Sequence, residues 1–385
     1  MPTPGGRGSG RARYTFSMLQ CAQEIQKRLS LFLRPLSVPY ACWMQRRRDN
    51  WESFAFLPSC PCVSVGNIAW GGSGKTPLVD WLLTWAENRR PVPLTAVVLA
   101  RGYGASPGSV PLAVTPRTPV RQAGDESLLL ARAHPGAHIL SFPRRAEAAR
   151  HAEALLAPDL FILDDGMQHL AVARQADLVL LRPEDVAEEW NRVIPAGSWR
   201  EGKSALAAAT AFLMKISPED LKILRPRILS RLSAFGRPFF PFTLAGMGLR
   251  QLDGDPPALL SPEPFRGRPY LLVSGVGSPA QVETTARDLM GVFPARHLAY
   301  ADHHPYRPCD ARTILRQADG LDSDIPILCT AKDGVKLLAY RNIFRPHPLL
   351  ALETEVVFGP ALFTSAAFPL WWEDWWREQS LLFQS

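Results

Sequence analysis

A glycine-rich run ending in a lysine and a threonine, Ala69-Trp70-Gly71-Gly72-Ser73-Gly74-Lys75-Thr76, carries the clearest chemistry in the sequence. Glycines let a backbone fold closely around phosphate oxygens and aim its N–H groups at them. In such a loop Lys75 reaches the β- and γ-phosphates of a nucleotide, and the Thr76 hydroxyl ligates Mg²⁺. An apolar run at Cys62–Val65 precedes it, and Leu78, Trp81, Leu82 and Trp85 follow at helical spacing. Strand, loop and helix in that order are the context a phosphate-binding loop needs. The usual pattern has a glycine five residues before Gly74, where this chain has Ala69.

About 90 residues on, Phe161-Ile162-Leu163-Asp164-Asp165 reads as a buried strand ending in two acids. That ending places carboxylates at the edge of a sheet beside the loop, where a Mg²⁺-organising aspartate belongs; alone, the same pattern also fits a helix cap. Gln168 and His169 follow closely and could line the same pocket. Between loop and acids lies Gly124-Asp125-Glu126. Its carboxylate could take a proton from an acceptor hydroxyl, a contribution of roughly 10²–10⁴-fold in rate, or simply cap a helix over Ser127–Ala133. Arg101-Gly102-Tyr103-Gly104 offers a cation and an aromatic edge to an anionic acceptor, or an ordinary turn. In Asp302-His303-His304 adjacent histidines point in different directions, so one histidine facing the nucleotide site suits the pattern better than a metal pair, and a purely structural pair suits it equally well.

The elements that must hold these residues alternate. Strands at Leu94–Ala100, Leu160–Leu163 and Leu178–Leu181 are interleaved with helical patterns such as Pro77–Glu87. The expected fold class is therefore α/β, a P-loop NTPase-type mostly parallel sheet with a second, smaller α/β domain. Residues 1–13, rich in Gly, Arg and Pro, are expected to be disordered, and 14–236 to form the P-loop domain. The Pro- and Gly-rich stretch 237–268 is expected to be a linker, and 269–385 the smaller domain. Within 14–51, Met18, Cys21, Ala22, Ile25, Leu29 and Phe32 share one helical face, with Pro35 and Pro39 predicting a kink. Two readings of this basic, amphipathic start stand side by side: an anchor lying on a membrane surface, and a helix packed on the core. Trp371, Trp372, Trp375 and Trp376 read as a packing stripe.

Taken together and in this order, the motifs resemble the tetraacyldisaccharide 4'-kinase family of lipid A synthesis. The resemblance is carried by Val65-Gly66-Asn67, the loop through Pro77, Arg101-Gly102-Tyr103-Gly104, Gly124-Asp125-Glu126 and Asp164-Asp165-Gly166-Met167-Gln168-His169. Pro195-Ala196-Gly197 with Arg200-Glu201, Asp302-His303-His304 and Thr330-Ala331-Lys332-Asp333 complete it. It implies transfer of the ATP γ-phosphate, with Mg²⁺, to the 4'-hydroxyl of a lipid-linked glucosamine disaccharide phosphate. It further implies a catalytic carboxylate at Asp125 supported by His303, nucleotide binding by Lys75 and Thr76, and metal binding by Thr76, Asp164 and Asp165. Arg101, Tyr103, Glu126 and Arg145 are the residues it assigns to the acceptor. It places the enzyme peripherally on the cytoplasmic face of the bacterial inner membrane.

Composition narrows the alternatives. A net charge of +7, from 43 basic and 36 acidic residues, favours anionic partners. The six cysteines have neither zinc-site nor disulfide-framework spacing, so Cys60 and Cys62 read as buried thiols. There is no apolar stretch of about 18 residues to span a membrane, no secretory apolar segment near the start, and no nucleic-acid recognition motif. The competing class is a nucleotide-switched peripheral membrane ATPase. Regulators of that type carry Lys immediately before the Gly-Gly of the loop, where this chain has Trp70.

Overall fold

The computed structural model describes residues 18–51, 54–102, 108–254, 258–322 and 324–384. The expected disordered start, 1–13, and Tyr103 lie outside them. The chain divides into a larger unit, Cys21–Ala245 joined by the segment from Glu355 onward, and a smaller one built on Gly246–Thr354.

The larger unit opens with helix α1 (Met18–Trp51). A central sheet follows: β1 (Cys62–Asn67), β2 (Ala96–Ala100), β3 (Leu112–Val114), β4 (His138–Ser141), β5 (Leu160–Asp164), β6 (Ala176–Leu181), β7 (Ala211–Lys215) and the start of β8 (Phe239–Gln251). Its order is β8-β7-β6-β1-β5-β2-β4-β3. Every pairing is parallel except β3 with β4. Every residue of β1, β2, β5 and β6 is buried, as continuous apolar runs demand in a sheet covered on both faces. The covering helices are α2 (Lys75–Glu87), α3 (Val120–Ala123), α4 (Asp125–Ala133), α5 (Arg145–Leu156) and α6 (Pro218–Leu232). Because β1 sits between β5 and β6, the loop after β1 opens where acids at the end of β5 can meet it, the position at which such sheets bind ligands.

In the smaller unit β10 (Leu271–Ser274), β11 (Arg296–Ala299), β12 (Ile327–Thr330) and β13 (Leu349–Phe358) run parallel in the order β11-β10-β12-β13, while β9 (Ala258–Leu260) pairs antiparallel with the end of β8. Helices α7 (Pro279–Met290), α8 (Pro308–Asp319) and α9 (Ala331–Leu337) belong to it.

The structure corrects the expected boundaries. Much of 237–268 is strand rather than linker, since β8 and β9 occupy it. Pro241 lies inside β8 and Pro262 precedes a short 3-10 turn. The last helix, α10 (Phe368–Gln384), returns to the larger unit instead of completing the smaller one. Its tryptophans explain this. Trp372 and Trp376 pack edge-on against Trp85 of α2, and Glu373 accepts from Trp85 Nε1 at 3.1 Å and pairs with Arg89. The packing-stripe reading of these tryptophans holds. The two expected helical pieces form one continuous helix, α1, with Pro35 and Pro39 inside it. Cys60 and Cys62 are buried free thiols.

Candidate active site

The phosphate-binding loop forms as its sequence requires. Gly74 caps α2 with φ 91°, a left-handed conformation that glycine adopts without penalty; a Cβ there would also sit 3.0 Å from the Phe242 ring. Helix α2 begins at Lys75, two residues before the expected Pro77. Ala69 does not need to be glycine: it is fully buried, bridges antiparallel to Trp199, and is not among the left-handed residues. Trp70 N–H donates to the Ser198 carbonyl at 3.1 Å. From below, Arg182 Nη1 donates to the Trp70 carbonyl at 3.1 Å while its other donors hold Asp185 and Ser198. Arg182 carries no motif, and no spacing pattern singles it out.

Lys75 Nζ donates to Asn67 Oδ1 at 3.0 Å and lies 3.5 Å from Asp165. Asn67, in turn, accepts at its carbonyl from Gln168 Nε2 at 3.1 Å. Arg200 Nη1 donates to Gln168 Oε1 at 2.9 Å and to both Asp165 oxygens at 3.2 Å. The loop and the acids thus share one network, with Asn67, Gln168 and Arg200 as its connectors. Gly66 keeps the two segments in contact: a Cβ there would fall 2.5 Å from the Met167 amide nitrogen.

The two aspartates differ. For Asp165 burial raises the pKa, but Lys75, Arg200 and Arg145 outweigh it and hold the carboxyl below its usual range. Asp164 is buried, and burial, reinforced by Glu126 and Asp165 against Lys75 and Arg145, pushes it up to about 7. Its Oδ1 has no hydrogen-bond partner, and neither has the buried Ser73 Oγ. A buried carboxylate oxygen without a donor suits a cation, and an orphan hydroxyl inside a phosphate loop suits a phosphate oxygen. Among the described residues there is no cluster of three or more His, Cys, Asp or Glu fit to hold a metal ion. Mg²⁺ takes one or two carboxylates and fills its remaining positions with water and phosphate.

Asp125 is the first residue of α4, not its cap, because Gly124 occupies the cap position with φ 80°. The helix starts two residues earlier than expected and carries both acids in its first turn, where the helix dipole favours them. Glu126 is brought close enough to Asp164 to raise its pKa. The far end of α4 is tied to α2 by His134, which the sequence did not single out. Its Nε2 lies 3.0 Å from Asp80 and its Nδ1 2.9 Å from Glu87. Burial lowers the His134 pKa, but these two carboxylates prevail and raise it. Arg145 is only 2 % exposed and donates to the Asp165 carbonyl at 3.0 Å. Arg101, at the end of β2, is exposed, and its charge is felt by Arg145 and His169. Desolvation and four neighbouring arginines drive the His169 pKa down to about 3, so this residue is a neutral imidazole.

The motif Pro195-Ala196-Gly197 with Arg200-Glu201 joins α1 to this network. The Pro195 and Gly197 carbonyls accept from Gln26 Nε2 at 2.8 and 2.9 Å. Glu201 takes two bonds from Arg48, at 2.9 and 3.0 Å, and Arg48 also donates to the Met167 carbonyl. Arg200, next in sequence, holds Asp165.

On the smaller unit the two adjacent histidines separate in role. His304 Nε2 lies 3.0 Å from Asp310, and its ring packs against Tyr300 and Tyr306. His303, exposed and left-handed at φ 59°, has Nε2 3.0 Å from Lys332 Nζ. In Thr330-Ala331-Lys332-Asp333, Thr330 caps α9, and buried Asp333 accepts from the Gly275 N–H at 2.8 Å.

A loop between a central parallel strand and a helix, a lysine and two aspartates converging on it, and an acid-bearing helix alongside define a P-loop phosphotransferase. Residues 29–366 match the family model of tetraacyldisaccharide-1-P 4'-kinase, LpxK. The tetraacyldisaccharide 4'-kinase of Nitratidesulfovibrio vulgaris is 49 % identical over 356 residues, covering 91 % of this chain and 96 % of that one. The one of Oleidesulfovibrio alaskensis is 44 % identical over 359 residues, covering 92 % and 97 %. The chain belongs to this family. In fold it is similar to the crystal structure of the "apo" form of Aquifex aeolicus LpxK in complex with ATP, with a TM-score of 0.65 at 23 % identity, covering 86 % of this chain and 95 % of that one.

Proposed function

We infer that the chain carries out the reaction for which its family is named. It transfers the γ-phosphate of ATP to the 4'-hydroxyl of a tetraacylated glucosamine disaccharide 1-phosphate, a step of lipid A biosynthesis. The observation that carries this reading is the shared network of Lys75, Asn67, Asp165, Gln168 and Arg200, which fixes the phosphate loop against the acids at the end of β5.

Phosphoryl transfer through a loose transition state chiefly needs positioning and charge neutralisation. The loop N–H groups and Lys75 hold the β- and γ-phosphates. Thr76, Asp164 and Asp165 are the residues that would hold Mg²⁺, which supplies positive charge to the phosphates when bound. Asp125 takes the proton of the acceptor hydroxyl, and the resemblance assigns His303 to support it. Arg101, Tyr103, Glu126 and Arg145 serve the acceptor.

The substrate is a lipid, and α1 suits an enzyme that works at the inner face of the bacterial inner membrane without crossing it. Its docked face carries Gln26, Ser37, Met44 and Arg48. Leu29, Phe32, Leu36 and Trp43, at i, i+3, i+7 and i+14, form a different face, and Phe32 is 80 %, Leu36 59 % and Trp43 59 % exposed. This stripe continues the face that Met18, Cys21, Ala22 and Ile25 begin in the sequence. Exposed Arg28, Arg34 and Arg46 flank it. An apolar stripe bordered by arginines is the composition of an interfacial helix, and no described helix is long and apolar enough to span. We therefore read α1 as docked on the protein by one face and interfacial by the other.

ATP turnover measured with and without the lipid acceptor tests the function. A kinase turns over only with acceptor; equal hydrolysis without it would favour a nucleotide-operated switch.

A further inference from the structure

Lys215 is the last residue of β7, at the edge of the sheet where the phosphate loop opens. Phe212, Met214 and Ile216, on the same strand and just beyond it, pack into one core cluster. Alternation along a strand turns Lys215 to the opposite face, and there Gly74 of the loop comes down on it. A Cβ at Gly74 would lie 3.7 Å from the Lys215 Cβ and 3.0 Å from the ring of Phe242. Phe242 is the residue that pairs with Lys215 across β7 and β8. The lysine stem therefore starts directly beneath the loop, with an aromatic ring beside it.

The ammonium has no counter-charge in the protein. Lys215 is half-buried, and among the described residues it makes no hydrogen bond and no ion pair. Burial alone acts on its charge and lowers its pKa below the usual lysine value. The other two cations at the loop are satisfied, Lys75 by Asn67 and Asp165, and Arg182 by Asp185. A lysine on an open surface extends its charge into water at little cost. A desolvated ammonium without a partner is costly, and an anion that supplies the missing acceptor offsets the cost.

Strand order decides which anion. In the run β7-β6-β1-β5, the metal-site acids end β5 on one side of β1, and Lys215 ends β7 on the other. Neighbouring strands lie about 4.8 Å apart, so β7 stands about 10 Å from β1. A triphosphate with its γ end at the acids therefore lays its α end and nucleoside towards β6 and β7. Arg182, at the end of β6, is already spent on the Trp70 carbonyl, Asp185 and Ser198.

We propose that Lys215 is a nucleotide-binding residue whose ammonium pairs with the α-phosphate of ATP. Lys75 then serves the β- and γ-phosphates, and Lys215 the phosphate next to the nucleoside. The α-phosphate neither gains nor loses a bond in the transfer, and ADP keeps it. Lys215 accordingly holds substrate, transition state and product nucleotide alike, which sets KM for ATP rather than kcat. The proposal rests on the loop's binding of nucleotide and not on the identity of the acceptor.

The test uses the full-length protein as wild type, Lys215→Met and Lys215→Arg, with calorimetric titration of Mg-ADP and of a non-hydrolysable Mg-ATP analogue. Lys215→Met is expected to weaken both nucleotides by the same factor, about 10–100-fold, the range of one charge-assisted hydrogen bond. Lys215→Arg, which keeps the charge, should recover part of the loss. Without nucleotide, Lys215→Met should melt at a higher temperature than wild type, because an uncompensated charge has gone, and added ADP should stabilise it less. A side chain that only supports the fold would do the opposite, lowering the nucleotide-free Tm and leaving ADP affinity unchanged; that result overturns the proposal. A loss confined to the ATP analogue would place Lys215 at the γ-phosphate and overturns it as well. Wild type itself reports on the loop: if it binds neither nucleotide, the nucleotide reading fails before any variant is compared.

Discussion

Replacing Asp164 with asparagine should stabilise the nucleotide- and metal-free protein at pH 8 while abolishing turnover. The Asp164 carboxyl is buried, Glu126 and Asp165 lie near it, and its pKa is pushed up to about 7 from 3.8. For an acid whose folded-state pKa is raised, the favourable contribution is fully present below the unfolded pKa and is lost as pH rises through the folded one. The window is therefore pH 4 to 7. Each pKa unit corresponds to about 1.4 kcal/mol, so three units set a ceiling of about 4 kcal/mol. Relaxation and water entry in a real interior reduce that to about 2 kcal/mol. In a unit of this size about 2 kcal/mol is a rise of roughly 4–8 °C in Tm. The assay is calorimetry of wild type and Asp164→Asn across pH 4.5 to 8.5, followed as the difference in Tm, so that other titrating groups cancel. The difference should be near zero at the acid end, grow towards pH 7 and level off above it. Added Mg-ATP should then stabilise wild type more than the variant. A difference that stays flat with pH would refute the claim that an uncompensated buried charge waits at this position.

Asp125→Asn should lower turnover by about 10²–10⁴-fold with ATP binding retained; single-turnover kinetics alongside nucleotide titration checks this, and near-normal turnover removes Asp125 from the base role. His134→Gln should weaken the tie between α4 and α2. Because the His134 pKa is raised, the loss should be largest below pH 6.5, about 1–3 kcal/mol, and fade as pH rises through the folded pKa; equal losses at pH 6 and pH 9 in denaturant titrations would contradict the ion-pair reading. Leu36→Glu with Trp43→Glu should cut vesicle binding by at least tenfold, since each buried apolar side chain is worth about 1.5–3 kcal/mol, and the variant should keep its fold because both positions are exposed. Unchanged co-sedimentation would leave α1 without an interfacial role.

What the sequence disclosed and what it hid follow from the range of the interactions. The phosphate loop, the buried strands and the acids at the end of β5 are local patterns, so spacing alone placed Asp164 and Asp165 at the end of their strand and Lys75 within two residues of the helix start. Ala69 looked like a defect because the motif describes composition; the structure shows a buried β-bridge to Trp199 that needs no left-handed residue. Arg182, His134 and the Arg48–Glu201 pair escaped notice because their partners lie 47 to 153 residues away in sequence. The domain boundary was misplaced for a similar reason. Proline and glycine in 237–268 imitate a linker, whereas β8 is held by register with β7, and α10 finds its unit only through tryptophans meeting Trp85. The two faces of α1 could not be distinguished by periodicity either, since hydrogen bonds from Gln26, Ser37 and Arg48 decide which one docks.

The most direct test of the central claim is incubation of the protein with γ-labelled ATP, Mg²⁺ and tetraacylated disaccharide 1-phosphate in detergent micelles, followed by chemical location of the label. Label is expected on the 4'-oxygen of the lipid, dependent on Lys75 and absent when acceptor is omitted. Label released only as inorganic phosphate, at the same rate with or without lipid, would contradict it.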